Sequence, residues 1–122
     1  MKITRFEDIE GWQLGRELTR KIYSITKSGE FAKDFGLRDQ IRRASGSVMH
    51  NIAEGFDAGS NPEFIRFLGY SQRSCSEIQS ELYVALDQRY LNNNTFNELY
   101  ELARHAKSKV GAFIKYLKQN PR

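Results

Sequence analysis

The chain has 122 residues, of which 39% are hydrophobic and 28% charged, the balance of one soluble domain large enough to bury a core. No stretch approaches the roughly 20 consecutive apolar residues of a membrane span, and the first residues lack the apolar core of a signal peptide, so we expect a cytoplasmic protein without a membrane partner. The single cysteine, Cys75, excludes an internal disulfide and is expected in the core.

The first predicted helix covers residues 8–27. Asp8 is the expected N-cap, and Ser28 with Gly29 is expected to end the helix. Its apolar residues recur at spacings of four, four and three, which is one helical face. They are Leu14, Leu18, Ile22 and Ile25.

The second predicted helix covers residues 37–55 and follows a segment, 30–36, that has no periodicity and is predicted to be a loop. Phe31 and Phe35 in that loop are expected to cover the end of the core. The inward stripe of the helix consists of Leu37, Ile41, Ala44, Val48 and Ile52. At its end we expect a structural corner, formed by Asn51, Glu54 and Gly55, with Glu54 reaching an arginine of the next helix.

Two further helices are predicted at residues 61–89 and 95–118. Asn61 as N-cap followed by Pro62 marks the start of the third, and Thr95 with Glu98 forms a capping box for the fourth. The stripe of the third helix is Phe64, Leu68, Ser71, Cys75, Ile78, Leu82, Ala85 and Arg89. The stripe of the fourth is Phe96, Leu99, Ala103, Ala106, Val110, Phe113 and Leu117.

Four amphipathic helices with short connections predict an all-α fold, an antiparallel up-down-up-down four-helix bundle formed by a single domain of residues 1–122. The net charge is +4, and its surplus is confined to the ends of the chain, with six Lys/Arg against four Asp/Glu in residues 1–28 and six against two in residues 95–122. Helices 1 and 4 are neighbours in this topology, so their cations predict a basic face. The candidates for it are Arg16, Arg20, Lys21, Arg104, Lys107 and Lys109.

Several short motifs in order along the chain resemble the four-helix-bundle proteins of the 23S rRNA intervening-sequence family, also labelled ribosomal-like. The motifs are Phe6 to Ile9, Trp12-Gln13, Gly36-Leu37, Gln40 to Ala44, Ser47-Val48, Asn51 to Gly55 and Glu63 to Leu68. The resemblance implies small bacterial proteins of unestablished role that assemble into rings of five. It also implies kinship to the accessory protein of diversity-generating retroelements, which binds nucleic acid and a reverse transcriptase. The chain departs from the family at Met49-His50, where members usually have a proline and a small polar residue, and at Gly46.

Residues with catalytic chemistry are sparse. The two histidines, His50 and His105, fall on different predicted helices, and no Cys/His/carboxylate set has metal-ligand spacing. No Gly-rich phosphate loop or nucleophile elbow is present. We therefore expect no catalytic site, cofactor, metal or small-molecule substrate.

Two readings of the surface remain open. Arg42 and Arg43 are candidates for phosphate contacts, with an intersubunit salt bridge or pairing with Asp39 as the alternatives. A glycine inside a helix is costly unless another backbone approaches it, so we expect a subunit interface. Its candidates are Trp12, Gly46, Ala53 and Tyr70.

These observations predict a non-enzymatic homo-oligomer, pentameric by resemblance, that acts as a nucleic-acid or ribonucleoprotein accessory factor bound to RNA or DNA. The alternative is an assembly scaffold that binds a protein partner and contacts no nucleic acid.

Overall fold

The computed structural model describes residues 2–121, and the part it describes is helical without strands. A 3₁₀ turn at Phe6–Asp8 precedes α1 (Glu10–Ile25), α2 (Gly29–Lys33), α3 (Phe35–Asp57), α4 (Asn61–Asp87) and α5 (Asn93–Gln119). None of these helices combines the length and apolarity needed to cross a membrane.

The four long helices form an antiparallel bundle. Helix α1 packs against α3 and α5, and α4 packs against the same two neighbours from the opposite corner. The predicted all-α four-helix fold is confirmed, and the first and last long helices are adjacent as expected.

The buried stripes of α3, α4 and α5 follow the predicted positions. Every predicted core residue of α3 is buried, as are those of α4 up to Ala85, while Phe113 of α5 is half-buried. Arg89 does not continue the α4 stripe, because the helix ends at Asp87 and Arg89 is exposed with a φ of +63°. The amide of Tyr90 then donates to Ala85 O at 2.9 Å, which closes the helix end with a Schellman-type turn.

Helix α1 packs through glycines that the apolar pattern did not include. Gly11 and Gly15 are buried together with Leu18 and Ile22, whereas Leu14 and Ile25 are half-buried. A Cβ at Gly11 would lie 2.7 Å from Cγ2 of Val110, so a side chain there would push α5 away from α1. The close approach of α1 to its neighbours therefore depends on these small residues.

The N-caps of α1, α4 and α5 differ from the predicted ones by one to three positions. Asp8 does not cap α1, which follows Ile9, because its carboxylate accepts hydrogen bonds from the amides of Thr4 and Arg5 instead.

The other two N-caps also move. Ser60, not Asn61, caps α4, and Asn92, not Thr95, caps α5, with Asn92 Oδ1 accepting from the Thr95 amide at 2.8 Å. The predicted capping box of Thr95 with Glu98 is therefore wrong.

The predicted loop at residues 30–36 is mostly helical. It forms the short α2 and the first residues of α3, and Asp34 between them caps α3 by accepting from the Leu37 amide at 3.2 Å. Phe31 is buried against the Tyr90 ring, at a centroid distance of 5.2 Å, and covers the end of the core as expected. Phe35 does not, since it is 63% exposed.

Candidate nucleic-acid interface

The groove between α1 and α5 has mixed charge. Three of the six cations predicted for this face have carboxylate partners across or along it: Lys21 with Glu98 at 3.7 Å, Arg104 with Glu101 at 2.8 Å, and Lys109 with Glu10 at 3.6 Å. Glu17 also lines the groove, which encloses about 480 Å³. An anionic ligand here would have to compete with these carboxylates.

The other three predicted cations point elsewhere. Lys107 Nζ donates to Ser76 Oγ on α4 at 2.7 Å, which places its ammonium on the α4 side of α5. Arg16 and Arg20 are exposed on α1, one helical turn apart, and neither forms an ion pair within residues 2–121. The structure therefore does not bring the six predicted residues onto one face.

Arg42 joins α3 to the end of α1. Its Nε donates to Thr26 Oγ1 at 2.8 Å, its Nη2 donates to Thr26 O at 3.2 Å, and its guanidinium lies 4.5 Å from the centroid of the Tyr23 ring. Carbonyls at a helix C-terminus lack partners within the helix, so Arg42 satisfies one of them. Its side chain is held in place by structural contacts.

The pairing of Arg42 with Asp39 that the sequence left open is not formed. Asp39 instead accepts from Arg38 Nε at 2.9 Å. This hydrogen bond is the main reason why the pKa of Asp39 is lowered, with the nearby charges of Arg38, Arg42 and Arg43 contributing in the same direction.

Arginines and aromatic rings form one row on α1 and another on α3, and the contact between Arg42 and Tyr23 joins the two rows. On α1 the spacing of i, i+4 and i+7 places three residues in line, and on α3 the spacing of i, i+3 and i+7 does the same. We call this surface the α1–α3 basic face, and it consists of Arg16, Arg20, Tyr23, Phe35, Arg38 and Arg42.

Arginine–aromatic stacking is the repeated contact of the α1–α3 basic face. The Arg38 guanidinium lies 4.8 Å from the Phe35 centroid, and that of Arg16 lies 6.0 Å from the neighbouring Trp12 ring. Phe35 is 63% exposed and Tyr23 is 42% exposed. The face therefore presents open aromatic rings together with the charges of Arg16 and Arg20, whereas the charge of Arg38 is paired with Asp39 at 2.9 Å.

Arg43 faces the opposite seam, between α3 and α4. With Gln40, Ala44, Ser47 and Glu77 it lines a groove of about 230 Å³. Arg42 and Arg43, although consecutive, therefore serve different surfaces.

Glu81 of α4 is a buried carboxylate that was not among the predicted site residues. It is 6% exposed, and within residues 2–121 neither of its carboxylate oxygens has a hydrogen-bond partner. Burial, and secondarily the charge of Glu77, raises the pKa of Glu81 to about 7, while Arg43 opposes the shift. The sequence did carry a signal for this burial, because Glu81 lies on the helix next to the core residues Ile78, Leu82 and Ala85.

The corner between α3 and α4 is built from a close helix contact. A Cβ at Gly55 would lie 2.8 Å from Phe64 Cδ1 and 2.9 Å from Phe67 Cβ, so Gly55 allows α4 to start directly against α3. Asn51 is half-buried and donates to Ser47 O and Oγ within α3.

The expected ion pair between Glu54 and an arginine of α4 is not formed within residues 2–121. Arg66 pairs with Glu63 at 2.6 Å and donates to the Tyr70 hydroxyl at 2.8 Å, and Arg73 lies near the Tyr70 ring. The contribution of Glu54 to the corner stays a prediction.

The four residues predicted for a subunit interface occupy three helices. Gly46 and Ala53 lie two turns apart on α3, and a Cβ at Gly46 would meet nothing within 4 Å except the His50 ring. Trp12 on α1 packs on Phe6 with a centroid distance of 5.2 Å, and Tyr70 on α4 lies between Arg66 and Arg73. Gly46 is thus open on its outer side.

The remaining reactive groups are separated from one another. His50 on α3 and His105 on α5 are both exposed, and burial raises the pKa of the Cys75 thiol to about 12, which keeps it protonated and unreactive. Within residues 2–121, no group of three or more His, Cys, Asp or Glu side chains is arranged to hold a metal ion.

Two comparisons with known proteins found a match. A family model described as 23S rRNA-intervening sequence protein matches residues 7–112. A solved structure from Bacteroides thetaiotaomicron, a protein of unknown function from the S23 ribosomal protein family, superposes with a TM-score of 0.78 at 20% sequence identity and covers 86% of this chain and 98% of that chain. At this identity the superposition establishes the fold. No curated protein matches the chain.

Proposed function

Since the chain belongs to the family of 23S rRNA-intervening sequence proteins, we propose that it is a non-enzymatic, homo-oligomeric accessory protein that binds nucleic acid. The observation that carries the proposal is the pair of exposed arginines, Arg16 and Arg20, which have no carboxylate partner in the described chain. They lie on the same helix as Tyr23, whose ring contacts Arg42. Guanidinium groups bind phosphate oxygens in a bidentate manner, and a row of them suits a polyanion.

The absence of enzymatic activity is part of the proposal. The carboxylate with the most strongly raised pKa, Glu81, has no solvent-accessible oxygen, and the histidines are on separate helices. These features suit a binding protein better than a catalyst.

Nucleic-acid binding is tested by filter binding of a structured RNA over a series of salt concentrations. We expect the logarithm of the affinity to fall linearly with the logarithm of the salt concentration, because bound phosphates release counterions. Replacing both Arg16 and Arg20 by Ala should lower the magnitude of that slope by about 2 and weaken binding to all sequences alike.

The matched control removes two positive charges from the α1–α5 groove. Arg104 and Lys109, replaced together by Ala, should leave the slope nearly unchanged because carboxylates already neutralise them. Equal effects of the two double variants would count against the α1–α3 basic face as the contact surface. No binding of RNA or DNA by the parent protein, even at low salt, would favour the alternative function, an assembly scaffold for a protein partner.

Self-association is proposed through the outer side of α3 around Gly46, and the family resemblance favours a ring of five. Gly46 is supported as the contact because a Cβ there would meet only the His50 ring, so no other helix of the described chain packs on this position. We expect Gly46→Leu to lower the oligomeric state measured by light scattering after size-exclusion chromatography. Gly69→Leu on α4, where a Cβ meets nothing within 4 Å, is the control. A Gly46→Leu protein with the parental mass would rule out this contact.

A further inference from the structure

We propose that the α1–α3 basic face binds single-stranded nucleic acid, with unpaired bases stacked on Phe35 and Tyr23 and phosphates held by Arg16 and Arg20. This inference rests on the proposed nucleic-acid binding and narrows it to a substrate class and a set of contacts.

Phe35 is the most exposed large apolar side chain of the described chain, at 63%. Phe31, four residues earlier, is by contrast 1% exposed and lies in the core. Within residues 2–121 the ring of Phe35 packs on no other aromatic ring and contacts the Arg38 guanidinium at 4.8 Å. One side of the ring is thus supported by a cation, and much of its surface is open to a second planar group.

Tyr23 repeats this arrangement on the adjoining helix. It is 42% exposed, and Arg42 covers its ring at 4.5 Å. Arg42 is itself fixed by two hydrogen bonds to Thr26, so the platform is rigid before any ligand arrives. Binding to a rigid platform loses less conformational entropy than binding to mobile side chains.

The two platforms belong to one end of the bundle. The bonds between Arg42 and Thr26 bring the end of α1 against α3, and Phe35, Arg38 and Arg42 follow one another along a single helical face. Arg16 and Arg20 extend the positive charge along α1 away from the rings. A strand lying on this face would meet rings first and guanidinium groups beyond them.

Stacking selects unpaired bases. Bases inside a duplex are already stacked on one another, whereas the bases of a single strand offer their faces to aromatic side chains and arginine planes. A surface that contacted a duplex backbone alone would need the arginines but not the exposed rings. The rings therefore favour a single strand as the ligand.

The test is fluorescence anisotropy with a labelled oligouridine, the matching oligothymidine, and a blunt duplex of equal length. The parent protein should bind the single strands more tightly than the duplex. Phe35→Ala should weaken single-strand binding roughly tenfold, as expected for the loss of one stacked base, and leave duplex binding unchanged. Phe35→Trp should retain or improve binding, because it keeps a stacking ring.

The control is Tyr83→Ala, which removes another exposed ring, 51% exposed, that packs on Phe96 and Tyr100 at the α4–α5 seam. It should leave all three affinities unchanged. Equal binding of single strand and duplex, or an equal loss in Phe35→Ala and Tyr83→Ala, would overturn the inference. If the parent protein binds the duplex through Arg16 and Arg20 without any effect of Phe35→Ala, this inference fails and nucleic-acid binding stands. If it binds neither these three ligands nor the structured RNA, both fail.

Discussion

Replacing Glu81 with Gln should raise the free energy of unfolding by roughly 2–3 kcal/mol at about pH 8, and most of that gain should be absent at about pH 4.5. The substitution keeps the shape of the side chain and removes its ability to ionise. Urea denaturation followed by circular dichroism at the two pH values measures the effect.

The sign follows from where the proton is held. Burial raises the pKa of Glu81 to about 7 in the folded protein, from an ordinary value of 4.5. Between these values the native state holds a proton that the unfolded chain releases, so raising the pH favours unfolding. Glu81 therefore does not destabilise the native chain below pH 4.5, its ordinary pKa. The free energy that the buried carboxylate costs the folded state reaches its full value above about pH 7.

Glu77 provides the matched control, one helical turn before Glu81 and exposed. Glu77→Gln removes the same charge from the surface and should change stability by no more than about 0.5 kcal/mol. Parallel stability curves for the parent and Glu81→Gln from acid to alkaline pH would show that Glu81 does not hold a proton in the folded state.

Gly55→Ala should destabilise the fold by about 2 kcal/mol, although alanine is the better helix former. The added methyl group would approach Phe64 Cδ1 to 2.8 Å and the Cβ of Phe67 to 2.9 Å, and Cβ, next to the backbone, cannot swing away. Helix α4 would have to move away from α3 at their shared corner.

The same substitution at Gly69 should have the opposite sign. A Cβ there meets nothing within 4 Å, so Gly69→Ala gains up to about 1 kcal/mol of helix propensity without a clash. Midpoints of urea denaturation for the two variants and the parent measure both effects. A Gly55 variant at least as stable as the parent would show that the corner can relax around an added methyl group.

The periodic apolar pattern predicted three of the four long helices well, because hydrophobic side chains mark the face that is buried. Helix α1 is the exception, since Gly11 and Gly15 are buried without contributing any hydrophobic signal. Their burial results from the close approach of neighbouring helices, which no pattern within one helix shows. The missed short helix α2 has the same cause: Phe31 has no periodic partner in the sequence, and its place is set by Tyr90, far along the chain.

The helix caps show how neighbouring residues of similar chemistry exchange roles. Ser60 and Asn61 are both good N-cap residues, and the sequence favoured Asn61 because Pro62 follows it. In the fold, Asn61 Nδ2 donates to Leu117 O on α5 at 3.1 Å, and Ser60 takes the cap. The contact of Asn61 with α5 therefore explains why Ser60 and not Asn61 is the N-cap of α4.

The two basic ends of the chain lie side by side as predicted, but the sequence pattern could not show which cations would have carboxylate partners. Glu10, Glu98 and Glu101 neutralise three of the six predicted residues, and a hydrogen bond turns Lys107 toward α4. Arg38 and Phe35 were not candidates, although their spacing of three residues on a helix would allow the stack. Whether a ring points to the core or to water depends on the tertiary fold.

The seam between α1 and α5 joins the first and the last long helix of the chain. Every other long-helix seam joins helices that are close in sequence, whereas this one must close a loop that contains α3 and α4. Loop-closure entropy grows with the length of the closed segment, so forming this seam opposes folding more than forming the others. Two exposed ion pairs cross the seam, Lys21 with Glu98 and Lys109 with Glu10, and they offset little of that entropy loss. The seam should therefore be the last to form during folding and the first to open when the bundle unfolds.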